Sequence, residues 1–284
     1  MEESTLLRIQ TPGESHVYVH SGNYDAFWNS YGNGSWEPET GAAFRRFIDS
    51  RHSYVDIGAW IGPTLLLGCQ LAKSAYGIEP DPIAFAELLE NIERNQPLTN
   101  NVHLFNLCIT PVSGKVFVGS RGTGGDSMSS LLFSDETTSW TVQGVNFEQW
   151  IRDSEISDCN FIKIDIEGGE YSVVPTMSKY LQNNRPTLLL ALHPGFLGDL
   201  RSRSIGRRLR NCLLRLTNTL HILGMLRFYK YWYSLKGRCR TSTYRYHIIK
   251  LIDGSSWKAA VLFLSCLRGL VGRPHELLFT DHKW

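Results

Sequence analysis

The chain has 284 residues, 42% hydrophobic and 20% charged, which is typical of a globular protein with a large core. The net charge of +2 is unevenly distributed, because residues 201–252 hold thirteen of the 29 Lys and Arg and none of the 27 Asp and Glu. The longest late apolar run, residues 259–267, is far shorter than the ~20 residues of a membrane-spanning helix, which argues against a transmembrane protein.

The cysteines and the first residues bear on the cellular compartment. No two of the six cysteines form a C-x-x-C pair, and their spacing predicts neither a zinc site nor a disulfide framework. Cys69 and Cys108 lie in apolar segments and are expected to be small core residues, which favours a reducing compartment. The opening stretch MEESTLLR has acids where a signal peptide needs bases. We therefore expect a cytoplasmic protein, with peripheral contact to a membrane as an open alternative.

Residues 1–50 form an extension in front of the main domain. Alternating side chains predict a short strand at 17–20, and the Gly-rich, aromatic stretch that follows predicts loops and turns. Thr40 is expected to cap a helix that ends near Ser50.

Strands and helices alternate regularly over residues 51–200, which we expect to be the core of the domain. Strands are predicted at 54–58, 74–79, 101–110, 161–166 and 186–193, and helices at 63–73, 82–95 and 170–181. Residues 114–119 suggest a hairpin arm, and a Gly- and Ser-rich loop follows at 120–130. This order predicts an α/β fold with a mainly parallel, seven-stranded sheet and helices on both faces.

Residues 201–284 are expected to complete the same domain with a basic helical segment and closing antiparallel strands. A helix that begins at Ile205 is predicted to carry a stripe of leucines that ends at Leu223. Three roles stay open for this stripe: docking on the sheet, covering the substrate site or lying on a membrane. An apolar helix is predicted at 256–271, between strands at 244–252 and 276–284. Basic residues mixed with aromatics suit lipid headgroups, nucleic acid or anionic glycans. Alternatively, the basic segment neutralises the acidic remainder within the fold.

The first predicted strand of the core ends in the stretch DIGAWIG, which begins at Asp56 and opens a helix. Gly58 permits a tight turn whose backbone N–H groups face a ligand at the helix N-terminus. Glu79 ends the next strand, where an acid hydrogen-bonds the ribose hydroxyls of an adenosine. Trp60 and Pro63 replace glycines of the dinucleotide fingerprint, so a pyrophosphate fits poorly. S-adenosylmethionine (SAM), a nucleoside without pyrophosphate, fits better and would place its ammonium near Asp56.

The stretch FIKIDIEGGE, which ends at Glu170, crowds carboxylates at the end of an apolar strand, where they are costly. Asp165 and His193 end neighbouring predicted strands, so they are candidates for a general base and its orienting partner, with Glu167 beside them. A divalent metal held by Asp165, Glu167 and Glu170 is an alternative that we do not favour. Structural roles stay open for two residues, a helix-capping acid at Glu170 and a satisfied core histidine at His193.

Four motifs occur in a fixed order: VDIGAWIG from Val55, GIEPDP from Gly77, FIKIDIEGGE from Phe161 and RPTLLL from Arg185. Together they resemble the FkbM family of SAM-dependent methyltransferases over residues 36–193. The resemblance implies the class I, Rossmann-like methyltransferase fold and O-methylation of a hydroxyl. The residues then expected to bind SAM are Asp56, Gly58, Ala59, Trp60, Gly62, Glu79, Pro80 and Asp81.

Two positions depart from the pattern of that family. Trp60 stands where the family often has a small or polar residue, so the methionine pocket is expected to have a different shape. Ala191 stands where the family often has an acid shortly before the histidine, which leaves His193 without that acid.

The sequence thus predicts a SAM-dependent O-methyltransferase that acts on a glycan, a glycolipid or a secondary metabolite. Its partner would be a small-molecule, glycan or lipid-linked acceptor, with peripheral contact to an anionic membrane through residues 201–252. One alternative is a nucleic-acid methyltransferase that uses this basic segment, although no NPPY-like motif and no added RNA-binding module are present. Another is a SAM-binding or membrane-associated protein without catalysis.

Overall fold

A computed structural model describes residues 6–11, 15–20, 24–120, 138–198, 204–235 and 275–284. Three sequence predictions lie outside these residues: the Gly- and Ser-rich loop after residue 120, the strand at 244–252 and the helix at 256–271. None of the helices in the described part is long and apolar enough to cross a membrane.

Twelve strands and eight α-helices make up the described part of the chain. The strands are β1 (Leu6–Gln10), β2 (His16–His20), β3 (Ser53–Ile57), β4 (Ser74–Ile78), β5 (Val102–Phe105), β6 (Cys108–Ile109), β7 (Gly114–Ser120), β8 (Thr138–Val145), β9 (Cys159–Ile164), β10 (Thr187–Leu192), β11 (Tyr231–Ser234) and β12 (His275–Thr280). The helices are α1 (Asp25–Gly32), α2 (Pro38–Phe47), α3 (Pro63–Gly68), α4 (Pro82–Glu93), α5 (Phe147–Asp153), α6 (Glu170–Thr176), α7 (Ser178–Asn184) and α8 (Ile205–Met225).

The central sheet has seven strands in the order β11-β12-β10-β9-β3-β4-β5. Neighbouring strands are parallel from β10 through to β5, while β12 and β11 are antiparallel additions at one edge. The predicted α/β fold with a mainly parallel, seven-stranded sheet is therefore confirmed. The chain leaves β3 for β4 on one side and later returns to place β9 on the other side, which makes β3/β9 the topological switch point where such sheets bind ligands.

The inner strands are buried on both faces, and this explains their nearly continuous apolar sequences. Every residue of β3 and of β10 is buried. Successive residues of one strand serve opposite faces: Val55 and Ile57 join one apolar cluster, and Tyr54 joins the other. The sheet is thus held by two cores, and its strand ends stay free for polar side chains.

The N-terminal extension contains a helix where the sequence predicted only loops. In α1, Trp28 and Tyr31 are at most 1% exposed, and the Tyr31 hydroxyl donates to the carbonyl of Pro63 at 2.9 Å. The loop prediction was wrong because burial of these aromatics outweighs the poor helix propensity of the surrounding polar residues and glycines. The next helix, α2, begins at Pro38 with Glu37 as its N-cap residue, so the prediction that Thr40 caps this helix was wrong.

The predicted helix at 170–181 is divided into α6 and α7. Pro175 lies near the end of α6 and has no N–H group to donate to the preceding turn, so the helix ends soon after it. The short α6 leaves Glu170 directly after the end of β9, close to the sheet.

The basic helix α8 does not dock along its whole leucine stripe. Ile205, Leu209 and Leu213 are 60–66% exposed, and the stripe reaches the core only at Leu223. The opposite side contacts the body instead, where buried Arg215 donates to two backbone carbonyls that follow β10. Because an arginine must satisfy its donors when it is buried, these contacts fix which side of α8 faces inward.

A buried ion pair joins β3 to β9 at the switch point. Lys163 donates through Nζ to Asp56 Oδ1 and to the carbonyl of Gly58, both at 3.1 Å. The other oxygen of Asp56 accepts from the hydroxyls of Tyr54 at 2.7 Å and Thr64 at 2.6 Å. Although burial opposes the charge of Lys163, Asp56 holds the pKa of this lysine above its usual value. The loop after β3 is therefore held in place by a network in which both oxygens of Asp56 accept hydrogen bonds.

We expect Asp56→Asn to lower the free energy of unfolding by roughly 3–5 kcal/mol, because it leaves the charge of Lys163 buried without its carboxylate. Urea unfolding followed by circular dichroism measures this loss. As a control, Asp153→Asn changes a carboxylate that is 60% exposed and should stay within about 0.5 kcal/mol of the unchanged protein. Equal stability of the two variants would show that the Asp56–Lys163 pair does not hold the fold.

Candidate active site

A cavity of about 310 Å³ opens at the carboxyl ends of β3, β4, β9 and β10. Its walls come from the N-terminal extension, the β3–α3 loop, the ends of these strands, β6, β7 and one residue of β12. The predicted site residues that line it are Gly58, Ala59, Trp60, Glu79, Pro80, Asp165, Glu167 and His193. The sequence motifs therefore converge on one cavity from segments far apart in the chain.

Three of the predicted SAM-binding residues do not line this cavity: Asp56, Gly62 and Asp81. Asp81 is buried and caps α4, since its carboxylate accepts from the N–H groups of Ile83 and Ala84. Gly62 has φ of 97°, and a Cβ on it would lie 2.7 Å from a methyl group of Leu88. Their contacts with SAM stay predictions. The structure gives each of them a structural role, because Asp56 and Gly62 hold the β3–α3 loop and Asp81 caps α4.

The β3–α3 loop bonds mainly within the protein rather than offering its N–H groups to a ligand. Gly58 and Ala59 both donate to the carbonyl of Ile78, each at 3.0 Å, and Gly62 donates to Ala59. This differs from the prediction for these residues. Gly58 is needed because its φ is 87° and because a Cβ would overlap the carbonyl oxygen of Asp165 at the end of β9. The loop therefore packs closely against the end of β9 and forms part of the cavity wall.

Glu79 is held at the end of β4 by two hydrogen bonds. Its oxygens accept from the N–H of Trp60 at 2.9 Å and from the N–H of Asp81 at 2.8 Å. Burial raises the pKa of Glu79 to about 7, and these N–H groups and Lys163 oppose that shift. Each carboxylate oxygen keeps a further lone pair for a ligand hydroxyl, which is the geometry that ribose recognition requires.

A buried dyad of Glu170 and His193 stands on the other side of the cavity. Glu170 Oε1 lies 2.5 Å from His193 Nδ1, and Glu170 is fully buried. Nε2 of His193 lies 3.7 Å from an oxygen of Asp165 and 3.7 Å from an oxygen of Glu167. Although burial lowers the pKa of His193, the hydrogen bond and charge of Glu170 outweigh it and raise the pKa to about 9. Burial also raises the pKa of Glu170, against the influence of His193.

The chain matches the family model of the methyltransferase FkbM domain over residues 56–231, more than half of its length. It belongs to the FkbM methyltransferase family. The predicted family is confirmed, and with it, at the level of the family, the prediction of a methyltransferase enzyme that uses SAM as cofactor. A search of curated proteins found no match.

Two solved structures illustrate what the FkbM domain resembles. The methyltransferase FkbM from Methylobacillus flagellatus aligns over 72% of this chain, with 17% identity and a TM-score of 0.39. This alignment spans 49% of that protein, so the chain covers about half its length. An RNA methyltransferase from Salinibacter ruber in complex with S-adenosyl-L-homocysteine (SAH) aligns over 54% of this chain and 74% of its own, with 11% identity and a TM-score of 0.32.

The dyad region of the FkbM domain also groups three side chains that are potential metal ligands. One atom each from Asp165, Glu170 and His193 lie within 4.8 Å of one another, which is close enough for a shared divalent ion. However, His193 Nδ1 and Glu170 Oε1 already share a short hydrogen bond. An ion bound to both of these atoms would have to replace this bond. The other oxygen of Glu170 is buried without a hydrogen-bond partner, and Nε2 of His193 faces Asp165, so the geometry fits both a proton-transfer dyad and a divalent ion.

Sequence reasoning missed several residues that line the cavity of the FkbM domain. Glu276 lies in β12 directly opposite Ala191 of β10, so a carboxylate reaches the wall from the neighbouring strand. Glu37 enters from the N-terminal extension. No motif marks either residue, because each is brought to the cavity only by the pairing of distant segments. For Glu276, the sequence does contain one signal, an acid directly before the apolar residues LLF.

Three residues on the cavity wall have a strained backbone. Among the described residues, five non-glycine residues have φ between 40° and 55°, and Glu37, Trp60 and Glu167 are three of them. A left-handed conformation is unfavourable for such side chains and persists where the surroundings impose it, most often at functional sites. This clustering supports the cavity as the active site of the FkbM domain.

We expect Glu79→Gln to weaken SAH binding by about 10- to 100-fold, since a charged hydrogen-bond acceptor is lost and its backbone donors meet an amide. Isothermal titration calorimetry with SAH measures the change. The matched control is Glu90→Gln, which alters a carboxylate that is 53% exposed on α4 and should not affect binding. Unchanged affinity in Glu79→Gln would contradict the predicted role of Glu79 in holding the adenosine.

Proposed function

We propose that this FkbM domain transfers the methyl group of SAM to a hydroxyl of a glycan, a glycolipid or a secondary metabolite. The observation that carries the proposal is the Glu170–His193 dyad, whose Nε2 side opens on the same cavity as the adenosine-side residue Glu79. A donor site and a proton acceptor in one cavity are what methylation of an alcohol requires.

The dyad supplies the proton transfer. SAM brings an electrophilic methyl group on a positively charged sulfur, and an alcohol attacks it efficiently only as its proton leaves. Nε2 of His193 accepts this proton, while Glu170 holds Nδ1 in its protonated form and stabilises the imidazolium that results. An O–CH₃ bond forms as the S–CH₃ bond breaks, and SAH leaves. Asp165 and Glu167, 3.7 Å from Nε2, position the acceptor.

The charge of the cavity favours an acceptor with several hydroxyl groups. Asp165, Glu167 and Glu276 line the part of the wall around His193 and present carboxylate oxygens, which accept hydrogen bonds from hydroxyls. The same carboxylates repel phosphate groups. The acceptor is therefore a polyol such as a sugar, and nucleic acid is disfavoured.

Helix α8 supplies a surface for an anionic membrane that carries the acceptor. Its exposed leucines stand beside exposed Arg207, Arg208 and Arg210, and α8 contains no Asp or Glu. Apolar side chains with flanking arginines are typical of helices that lie on anionic lipid. The helix is joined to the active site, because Thr219 shares a hydrogen bond with Tyr171, the neighbour of Glu170. A cytoplasmic enzyme docked in this way would meet a lipid-linked sugar at its cavity.

In a methyl-transfer assay with labelled SAM, we expect label in the glycan or lipid fraction of a cell extract and none in RNA. His193→Asn and Glu170→Gln should lower the rate by about 10²- to 10⁴-fold, because the general base is removed or misaligned. SAH binding, measured by calorimetry, should persist in both variants. Full activity in His193→Asn would overturn its assignment as the base, and label in RNA alone would favour the nucleic-acid alternative.

The pH dependence of the reaction gives a second readout of the same assignment. Because only neutral imidazole accepts a proton and its pKa is about 9, kcat/KM should rise about tenfold per pH unit below that value and then level off. EDTA should leave the rate unchanged. A rate that EDTA abolishes and Mg²⁺ restores would instead support the metal alternative.

In vesicle co-flotation, we expect the protein to bind vesicles that contain phosphatidylglycerol and not vesicles of phosphatidylcholine alone. Leu209→Asp should abolish binding, since it places a charge on the apolar side of α8. The control is Val112→Asp, at a residue that is 78% exposed in the turn before β7. Equal binding to both kinds of vesicle would contradict a membrane as the partner of α8. The same conclusion would follow if the unchanged protein bound no lipid and Leu209→Asp abolished its self-association instead.

A further inference from the structure

The methionine half of SAM carries a positive α-ammonium group, and the acid predicted to face it does not reach the cavity. Asp56 is fully buried, and its oxygens accept from Lys163, Tyr54 and Thr64. Its charge is thus used to hold the β3–α3 loop. Because a buried carboxylate with three donors gains little from a fourth, another group is needed for the ammonium.

Glu37 is the acid that the N-terminal extension brings to this cavity. It lies between α1 and α2, outside the part of the chain that matches the family model, and it lines the wall together with Gly58 and Trp60. Its backbone is left-handed, with φ of 40° and ψ of 56°, although it is not a glycine. The surrounding structure therefore imposes an unfavourable conformation at a residue whose side chain reaches the site.

The carboxylate of Glu37 is held towards the donor side of the cavity. Thr40 Oγ1 donates to Glu37 Oε2 at 3.2 Å, and Thr40 is only 1% exposed, so its position is fixed. Glu37 is also close enough to contribute to the raised pKa of Lys163, whose ammonium contacts the carbonyl of Gly58. The hydrogen bond from Thr40 and the shared cavity wall place Glu37 beside the β3–α3 loop.

Aromatic side chains surround the same part of the cavity. Phe27, Trp36 and Trp60 line it, and the ring of Phe27 meets those of Trp60 and Trp36 edge-on, at 4.7 and 5.3 Å. Aromatic faces attract cations, and the attraction is strongest where water is excluded. A carboxylate beside three aromatic rings is chemistry suited to a cationic ligand group.

We propose that Glu37 binds the α-ammonium group of the methionine half of SAM, with Phe27, Trp36 and Trp60 enclosing that half. This inference rests on the proposed function, because it takes SAM as the ligand of the cavity. It assigns a direct part in cofactor binding to the N-terminal extension. Trp60, which departs from the family pattern, then serves to complete the aromatic wall.

The test compares two ligands by calorimetry on the full chain. SAH contains the amino-acid half, whereas 5′-methylthioadenosine contains the same adenosine without it. We expect Glu37→Gln to weaken SAH binding about 10- to 100-fold, the range for a lost charged hydrogen bond, and to leave 5′-methylthioadenosine unaffected. Thr40→Val, which removes the donor that orients Glu37, should weaken SAH binding less and again selectively. Glu39→Gln alters an exposed acid two residues away and serves as the control.

Each other outcome has a definite meaning. An equal loss for both ligands in Glu37→Gln would show that Glu37 only supports the shape of the cavity, which overturns the proposal. Unchanged SAH affinity with a raised KM for the acceptor would assign Glu37 to the acceptor and also overturn it. If the unchanged protein bound neither ligand, the proposed function itself would fail. Circular dichroism and thermal unfolding of each variant show whether it is folded.

Discussion

The buried pair of Asp56 and Lys163 is the interaction on which the rest of the site depends. It joins β3 to β9 where the order of the sheet reverses, and Lys163 also holds the loop through the carbonyl of Gly58. Two charges in an apolar core are favourable only when their geometry and further hydrogen bonds are good. Tyr54 and Thr64 supply these further hydrogen bonds to Asp56. The ends of β3 and β9 are therefore held at a fixed distance from each other, and the cavity opens beside them.

The carboxylates of this FkbM domain illustrate how environment decides the role of a residue. Asp81 caps a helix, and Glu79 is held by two N–H groups with an elevated pKa. Glu170 is buried behind His193 and fixes its Nδ1, while Asp165 remains partly exposed at the cavity. Acids that look alike in the sequence thus divide into structural, orienting and cavity-facing groups, because burial and donors differ at each position.

Much of the fold could be read from the sequence, since strongly apolar strands that alternate with helices leave few arrangements other than a parallel sheet. The prediction failed where tertiary contacts outweigh local pattern. The helix α1 forms in a Gly-rich stretch because Trp28 and Tyr31 are buried. The inward side of α8 is set by Arg215 and its carbonyl partners rather than by the leucine stripe. Both depend on contacts with residues far away in the chain.

The sequence by itself determined the family, the alternation of strands and helices along the core and the motifs that carry Gly58, Glu79 and Asp165, because these are local patterns with a fixed spacing. Only the tertiary structure decided which acids reach the cavity. It brought Glu37 and Glu276 to the cavity from the two ends of the chain. The physical reason is that side-chain environment, including burial, hydrogen-bond donors and neighbouring charge, arises from the packing of distant segments, and no local pattern encodes it.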